Sequence, residues 1–244
     1  MSIDILTDER TIRAKALLGD RAMEKLANAH VAVFGVGGVG SWCAEALARS
    51  GVGKITLIDD DTVSESNINR QCCALSSTLQ MPKVYAMGNR IRDISDRVIV
   101  KEHILRYDAS TKISSLSSDI SFIADCIDTV TSKISLIKEA KEQSIPIISA
   151  LGAGNKKDAE QLKIANLKDT SHCPLARVLR RELRREGIES LPVVYSSEPP
   201  IASMSDETPP EGRRSVPGSL VWVTATAGLL MSQYIISSLI ETEK

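Results

Sequence analysis

The sequence predicts a doubly wound α/β fold: a mainly parallel sheet with helices on both faces and a smaller C-terminal extension. Three observations point to it. Short, nearly uninterrupted apolar runs ("HVAVFG", "KITLID", "ISFIADCI", "IPIISAL") recur along the first 151 residues. Amphipathic helical stretches separate them. A glycine-rich segment, "GVGGVGS", joins the first run to the first of these helices. Strands that lack a polar face must be covered on both sides, and helices that return the chain between parallel strands supply that cover.

The elements follow in order. A leading helix is expected over 9–27, because Ile12, Ala16, Leu17, Met23 and Leu26 recur at roughly helical intervals. Strand "HVAVFG" comes next, then a helix from Val39 to Ser50, strand "KITLID", a helix from Lys83 to Ser95 and strand "RVIVKE". "ISFIADCI" (120–127), a helix over 131–143 and "IPIISAL" (145–151) continue the alternation. After residue 152 the rhythm changes to strand "QLKIANL", a basic helix over 174–186 and strand "LPVVYS". A mobile loop is expected at 198–218 from its proline and charge content, and a long C-terminal helix ends the chain. Residues 1–152 and 153–244 thus read as a nucleotide-binding part and an extension of one continuous domain.

Composition narrows the function. Apolar residues make up 43% of the 244 and charged residues 25%, which excludes disorder throughout. Thirty Lys and Arg against 31 Asp and Glu give no overall field toward nucleic acid or membrane, so any basic surface must be local. Cys43, Cys72, Cys73, Cys126 and Cys173 contain no Cys-x-x-Cys pair, which predicts reduced thiols and no structural zinc. The opening "MSIDILTDERTIRAK" has charges where a secretory signal needs an apolar core, so a cytoplasmic chain is expected. Residues 219–240 are uncharged and long enough to span a bilayer, but their Thr, Ser, Gln and Gly favour a core or dimer-interface helix.

Between a strand and a helix, Gly35 serves the tight turn, Gly37 lets backbone approach a phosphate and Gly40 allows close helix packing, a Rossmann-like arrangement. The helix N-terminus offers N–H groups to an anion. Asp59 ends the second strand, where it can accept hydrogen bonds from ribose hydroxyls. A dehydrogenase fits equally well up to this point. "IDDDTVSESNINRQ" then adds Asn67 and Arg70, and Lys83 follows. Such a set neutralises charge on phosphates during phosphoryl or nucleotidyl transfer, which hydride transfer does not require. Asp128, after the fourth strand, reads either as a Mg²⁺ ligand or as the N-cap of the next helix.

Residues 10–151 resemble the nucleotide site of the ubiquitin-activating enzyme superfamily, whose smaller bacterial members include the ThiF, MoeB and HesA types. "GVGGVGS", "LIDDDTVSESNINRQ", Lys83 and "DCIDTVTSK" carry the resemblance. It implies ATP and Mg²⁺ as cofactors, with Gly35, Gly37, Gly38 and Gly40 at the nucleotide, Asp59 on the ribose, and Asn67, Arg70 and Lys83 on the phosphates. Asp128 then holds the metal, and Arg70, Lys83 and Asp128 form the catalytic set. An N-terminal arginine reaches the nucleotide of the partner subunit in that superfamily. Arg13 is the match, and Arg10 on the same segment is the alternative.

The second half selects a branch. "CPLARVLRRELRREGI", "LPVVYSSE" and "RRSVPGSLVWVTATAGLL" resemble the tRNA threonylcarbamoyladenosine dehydratases, extending the similarity over nearly the whole chain. The resemblance implies ATP-dependent cyclisation of the threonylcarbamoyl group on the modified adenosine beside the anticodon, a homodimer, and the cysteine desulfurase CsdA with CsdE as partners. Arg177, Arg180, Arg181, Arg184 and Arg185 recur at three- and four-residue spacing opposite Leu175, Val178, Leu179 and Leu183. That face suits tRNA phosphates, with a solvated face paired with Glu182 and Glu186 as the alternative. Arg213 and Arg214 are expected to close over the RNA. Cys173, beside the basic helix, reads as a relay or as a plain buried thiol. The competing functions are adenylation of the C-terminus of a ubiquitin-like sulfur-carrier protein, a nicotinamide-dependent oxidoreductase and a nucleotide-regulated adaptor.

Overall fold

The apolar runs assemble side by side. The computed structural model describes residues 8–202 and 217–241. Its strands are β1 (His30–Phe34), β2 (Lys54–Asp59), β3 (Ile99–Ile104), β4 (Phe122–Asp125), β5 (Ile147–Ala150), β6 (Leu162–Asn166) and β7 (Pro192–Ser196). They form one seven-stranded sheet in the order β3-β2-β1-β4-β5-β7-β6. Every pairing is parallel except that of the edge strand β6 with β7. The fold is the doubly wound one that the apolar strands predict. β7 pairs with β5, so the C-terminal extension adds strands to the same sheet.

The helices are α1 (Ile12–Leu18), α2 (Asp20–Asn28), α3 (Gly40–Arg49), α4 (Lys83–Ile94), α5 (Ile113–Leu116), α6 (Val130–Glu142), α7 (Pro174–Arg185) and α8 (Val221–Glu241). Strand β1 shows why its run is unbroken. Val31 and Val33 enter one core with Leu47 of α3, Met87 of α4 and Met231 of α8, whereas Ala32 and Phe34 enter another with Leu136 of α6 and Leu179 of α7. Each full burial of such a side chain is worth roughly 1.5–3 kcal/mol. Phe34 also meets Tyr107 edge-on, with centroids 5.1 Å apart.

Several expected boundaries move. The leading helix is two helices, because Gly19 adopts φ 81° and ψ 167° and turns the chain between them. α2 buries Ala22, Met23 and Leu26, whereas α1 only rests the half-buried Ala14 against the core. The third strand runs two residues later than "RVIVKE", in parallel register with β2 from Lys54↔Ile99 to Asp59↔Ile104. β4 is confined to four residues, and the short α5, which carries no strong local signal, docks Ile113 and Leu116 into the core. α8 is long and apolar enough to cross a membrane by length and composition. Here it packs on α3, so closely that a Cβ on Gly228 would lie 2.5 Å from the Val39 carbonyl oxygen. Most of the loop expected at 198–218, including Arg213 and Arg214, lies outside the described residues.

Candidate active site

β1 lies between β2 and β4, and the chain leaves these strands in opposite directions along the sheet. That reversal opens a crevice beyond the strands' C-terminal ends, where ligands bind in such sheets. The glycine loop fills its floor. Gly35 has φ 88°, and a Cβ there would lie 2.7 Å from the Cys126 carbonyl oxygen. A Cβ on Gly40 would lie 1.8 Å from the Gly35 oxygen, so both positions require glycine. Gly37 differs: a Cβ there would meet nothing within 4 Å, which leaves open space over the loop for a ligand. Val39 at the N-cap of α3 supplies no side-chain cap, which suits an anion at that helix end.

The side chains converge from two neighbouring segments. Asp59 Oδ2 accepts the Val36 amide at 2.6 Å and Oδ1 accepts the Asp61 amide at 2.9 Å, tying the end of β2 to the loop. Burial pushes the Asp59 carboxyl above its ordinary value, while the Lys83 ammonium at 3.9 Å pulls it down. Lys83, buried at the start of α4, donates to Asp61 at 2.6 Å. Asp59, Asp60 and Asp61 bring ligand oxygens within 4.8 Å of one another, but Lys83 already supplies the cation there.

Arg70 approaches the loop from the other side. Its Cγ lies 3.4 Å from where a Gly38 Cβ would be, and its carbonyl accepts the Trp42 indole N–H at 3.0 Å. The guanidinium donates to the Ser66 carbonyl at 2.7 Å and to Asn69 Oδ1 at 2.9 Å, both neutral acceptors. No carboxylate among the described residues lies within ion-pair reach of it, and burial lowers its pKa. Asn67 is buried, and its Oδ1 accepts the Ser64 amide at 3.2 Å, so its carbonyl end shapes the local turn. Its NH₂ end is the one with hydrogens for a phosphate.

Asp128 is exposed on the β4–α6 connection, two residues after Cys126, whose backbone presses on Gly35. The N-cap of α6 is Thr129, one residue beyond Asp128, and its hydroxyl approaches Asp128 Oδ1 at 3.4 Å. Arg13 is exposed on α1. The segment before it packs at the far end of the sheet, with the Thr11 methyl 3.5 Å from a Cβ on Gly51. Arg13 therefore lies away from its own glycine loop.

On α7, Ala176, Leu179 and Leu183 are buried while Arg177, Arg181, Arg184 and Arg185 are exposed. Arg180 does not join them as expected. Its guanidinium donates to the Leu167 and Thr170 carbonyls at 3.2 and 3.0 Å and to the Thr170 hydroxyl, which anchors the helix. Arg181 and Arg185 share Glu182 at 2.7 and 3.1 Å. Burial pushes the Cys43 and Cys72 thiols up to about 12 and Cys73 to about 11, which suppresses thiolate. The Cys173 sulfur accepts the Ala176 amide and caps α7. Sequence reasoning missed Asp61, Thr224 beside Gly38, and Gln71, whose buried Oε1 has no partner among the described residues. Asp61 and Gln71 carried a local signal, their places in "LIDDDTVSESNINRQ".

Comparison with known proteins gives the family. The ThiF family model matches residues 9–244. A tRNA threonylcarbamoyladenosine dehydratase of Bacillus subtilis is 39% identical over 238 residues, which cover 94% of each chain. The crystal structure of the E. coli enzyme TcdA in complex with AMP superimposes with a TM-score of 0.86 at 33% identity, covering 95% of this chain and 94% of that one. The same enzyme in complex with ATP gives 0.85 at 33% identity, covering 95% and 93%. The family model and the similarity over 94% of the chain lead to one conclusion: the chain belongs to the ThiF family and, within it, to the tRNA threonylcarbamoyladenosine dehydratases.

Proposed function

We propose that this chain uses ATP to close the threonylcarbamoyl side chain of the modified adenosine beside the tRNA anticodon into a ring, with loss of one water. The observation that carries the reading is Arg70, a half-buried guanidinium with only neutral acceptors, set against the glycine loop. A desolvated cation without a counter-charge favours an incoming anion, and the open space over Gly37 is where phosphates fit.

ATP supplies an electrophilic phosphorus and a good leaving group. The threonyl carboxylate is ionised at neutral pH, so its attack, at the α-phosphorus, needs no general base. Arg70 and Lys83 stabilise the charge that develops on the phosphates. Asp128, an exposed carboxylate beside the loop, would hold Mg²⁺, whose usual donors are one or two carboxylates and phosphate oxygens. That attack releases pyrophosphate; the activated acyl carbon is then attacked by the carbamoyl group of the same side chain, which loses a proton, closes the ring and expels AMP. Proximity within one nucleoside replaces a protein nucleophile, consistent with the suppressed thiols.

The exposed Arg177, Arg181, Arg184 and Arg185 would follow tRNA phosphates. A cytoplasmic homodimer fits the exposed Ile12, Leu17 and Leu18 of α1, which need cover, and would let Arg13 serve the nucleotide of the partner subunit. The test is incubation with threonylcarbamoylated tRNA and Mg-ATP, followed by mass spectrometry of the nucleosides. The expected result is a modified adenosine lighter by one water. An unchanged nucleoside from folded, ATP-binding protein would overturn the proposal.

A further inference from the structure

Lys133 and Asp125 form an ion pair with both side chains fully buried. Lys133 Nζ donates to Asp125 Oδ2 at 2.7 Å and approaches the Asp125 carbonyl at 3.4 Å. The Ser149 hydroxyl, on β5, donates to the same Oδ2 at 2.6 Å, and the Ile127 amide donates to Oδ1 at 3.2 Å. One carboxylate therefore joins the end of β4, the neighbouring strand, the first turns of α6 and the connection between them. A buried pair of this kind is weak evidence for stability, since taking both charges out of water offsets their attraction and apolar residues of similar volume often pack as well. Its geometric effect is specific. Asp128 follows immediately after the tethered Ile127. One residue before Ile127, the Cys126 amide donates to Phe34 O at 2.8 Å, and the Cys126 carbonyl abuts Gly35.

We propose that Lys133, acting through Asp125, is a positioning residue that fixes Asp128 against the glycine loop. Lys133 does not itself reach the substrates. Its ammonium holds the Asp125 carboxylate in the orientation that accepts the Ile127 amide, and so sets the backbone from which the Asp128 carboxylate projects. This role rests on the reading of Asp128 as the metal-holding group, and the experiment separates the two.

The full chain is compared as wild type, Lys133→Met, Lys133→Arg, Asp128→Ala and the Lys133→Met/Asp128→Ala double variant. Turnover on threonylcarbamoylated tRNA, thermal unfolding, and Mn²⁺ binding in the presence of a non-hydrolysable ATP analogue are measured for each. Lys133→Met should lower kcat by at least about 10-fold with KM for ATP within about twofold, because small displacements of a catalytic group cost rate more than binding. It should also weaken Mn²⁺ binding, and Lys133→Arg should recover part of both losses. In the Asp128→Ala background the same change should leave kcat and Mn²⁺ binding where Asp128→Ala put them, while lowering Tm as before. A merely structural role would lower Tm without this dependence on Asp128. If Asp128→Ala lowers kcat but Lys133→Met lowers it by the same factor in both backgrounds, the positioning role is overturned and the Asp128 reading stands. Full turnover and Mn²⁺ binding in Asp128→Ala would overturn both. Should Lys133→Met fail to fold, Ser149→Ala removes one donor from Asp125 and must show the same dependence on Asp128, with a smaller fall in kcat.

Discussion

At the N-terminal ends of the strands, charges answer charges. Lys54 meets Asp119 at 2.6 Å, Arg10 meets Asp8 and Asp96 at 2.9 and 2.8 Å, and His30 sits between Asp119 and Thr56 at 3.0 and 2.7 Å. At the C-terminal ends, Arg70 is half-buried with neutral acceptors alone, and Gln71 has a buried oxygen without a described partner. Clefts of about 610 and 950 Å³ open at the first end, lined in part by Gly53 and Val98 and by Pro146 and Pro192. Neither of these clefts at the first end includes Gly35, Arg70, Lys83 or Asp128. Uncompensated polarity separates the two, because unpaired buried groups are retained where a ligand completes them.

The largest effect should come from breaking that asymmetry. Arg70→Ala is expected to reduce kcat/KM for ATP-dependent dehydration by roughly 10²–10³-fold, the usual cost of removing a group that stabilises developing charge. Lys54→Ala, at the opposite end, should leave turnover within about twofold, since exposed pairs are worth little. Steady-state rates for the two variants side by side are the check, and equal losses would erase the distinction.

Glycines test it next. A Cβ would lie 1.8 Å from a carbonyl oxygen at Gly40 and equally 1.8 Å from one at Gly53. Alanine at either position should destabilise by about 1–3 kcal/mol or more through backbone displacement. Only Gly40→Ala should also weaken ATP binding by the folded protein, which calorimetry below the unfolding temperature would detect. Nucleotide affinity lost equally in Gly53→Ala would contradict the comparison.

The smallest effect is a pH dependence. Burial lowers the His30 pKa below its ordinary 6.5, helped by Lys54 and opposed by Asp119. A depressed folded-state pKa means that the stability His30 contributes is present above pH 6.5 and lost as pH falls toward the folded value. His30→Gln should remove that dependence, so that the fall in Tm between pH 7.5 and pH 5.5 is smaller than in the wild type. An unaltered Tm–pH curve would count against the assignment.

Patterns that are local in the chain are legible in the sequence. The parallel sheet followed from strands apolar on both faces, the loop from glycine spacing, and Asp59, Asn67, Arg70 and Lys83 from one contiguous stretch and the helix after it. Partners distant in sequence were not legible. Arg180 looked like its neighbours on α7 until Leu167 and Thr170 were found holding it. Lys133, which no sequence pattern singled out, is fully buried against Asp125.

By itself, then, the sequence determined the layered α/β class, the glycine loop and the family, because hydrophobic period and glycine spacing act within a few residues and need no distant contact. The tertiary structure alone decided which cations are compensated: Arg10 by Asp96, Arg180 by backbone carbonyls, Arg70 by no carboxylate among the described residues. Charge compensation depends on distances of a few ångströms between residues far apart in the chain, and only folding sets those distances.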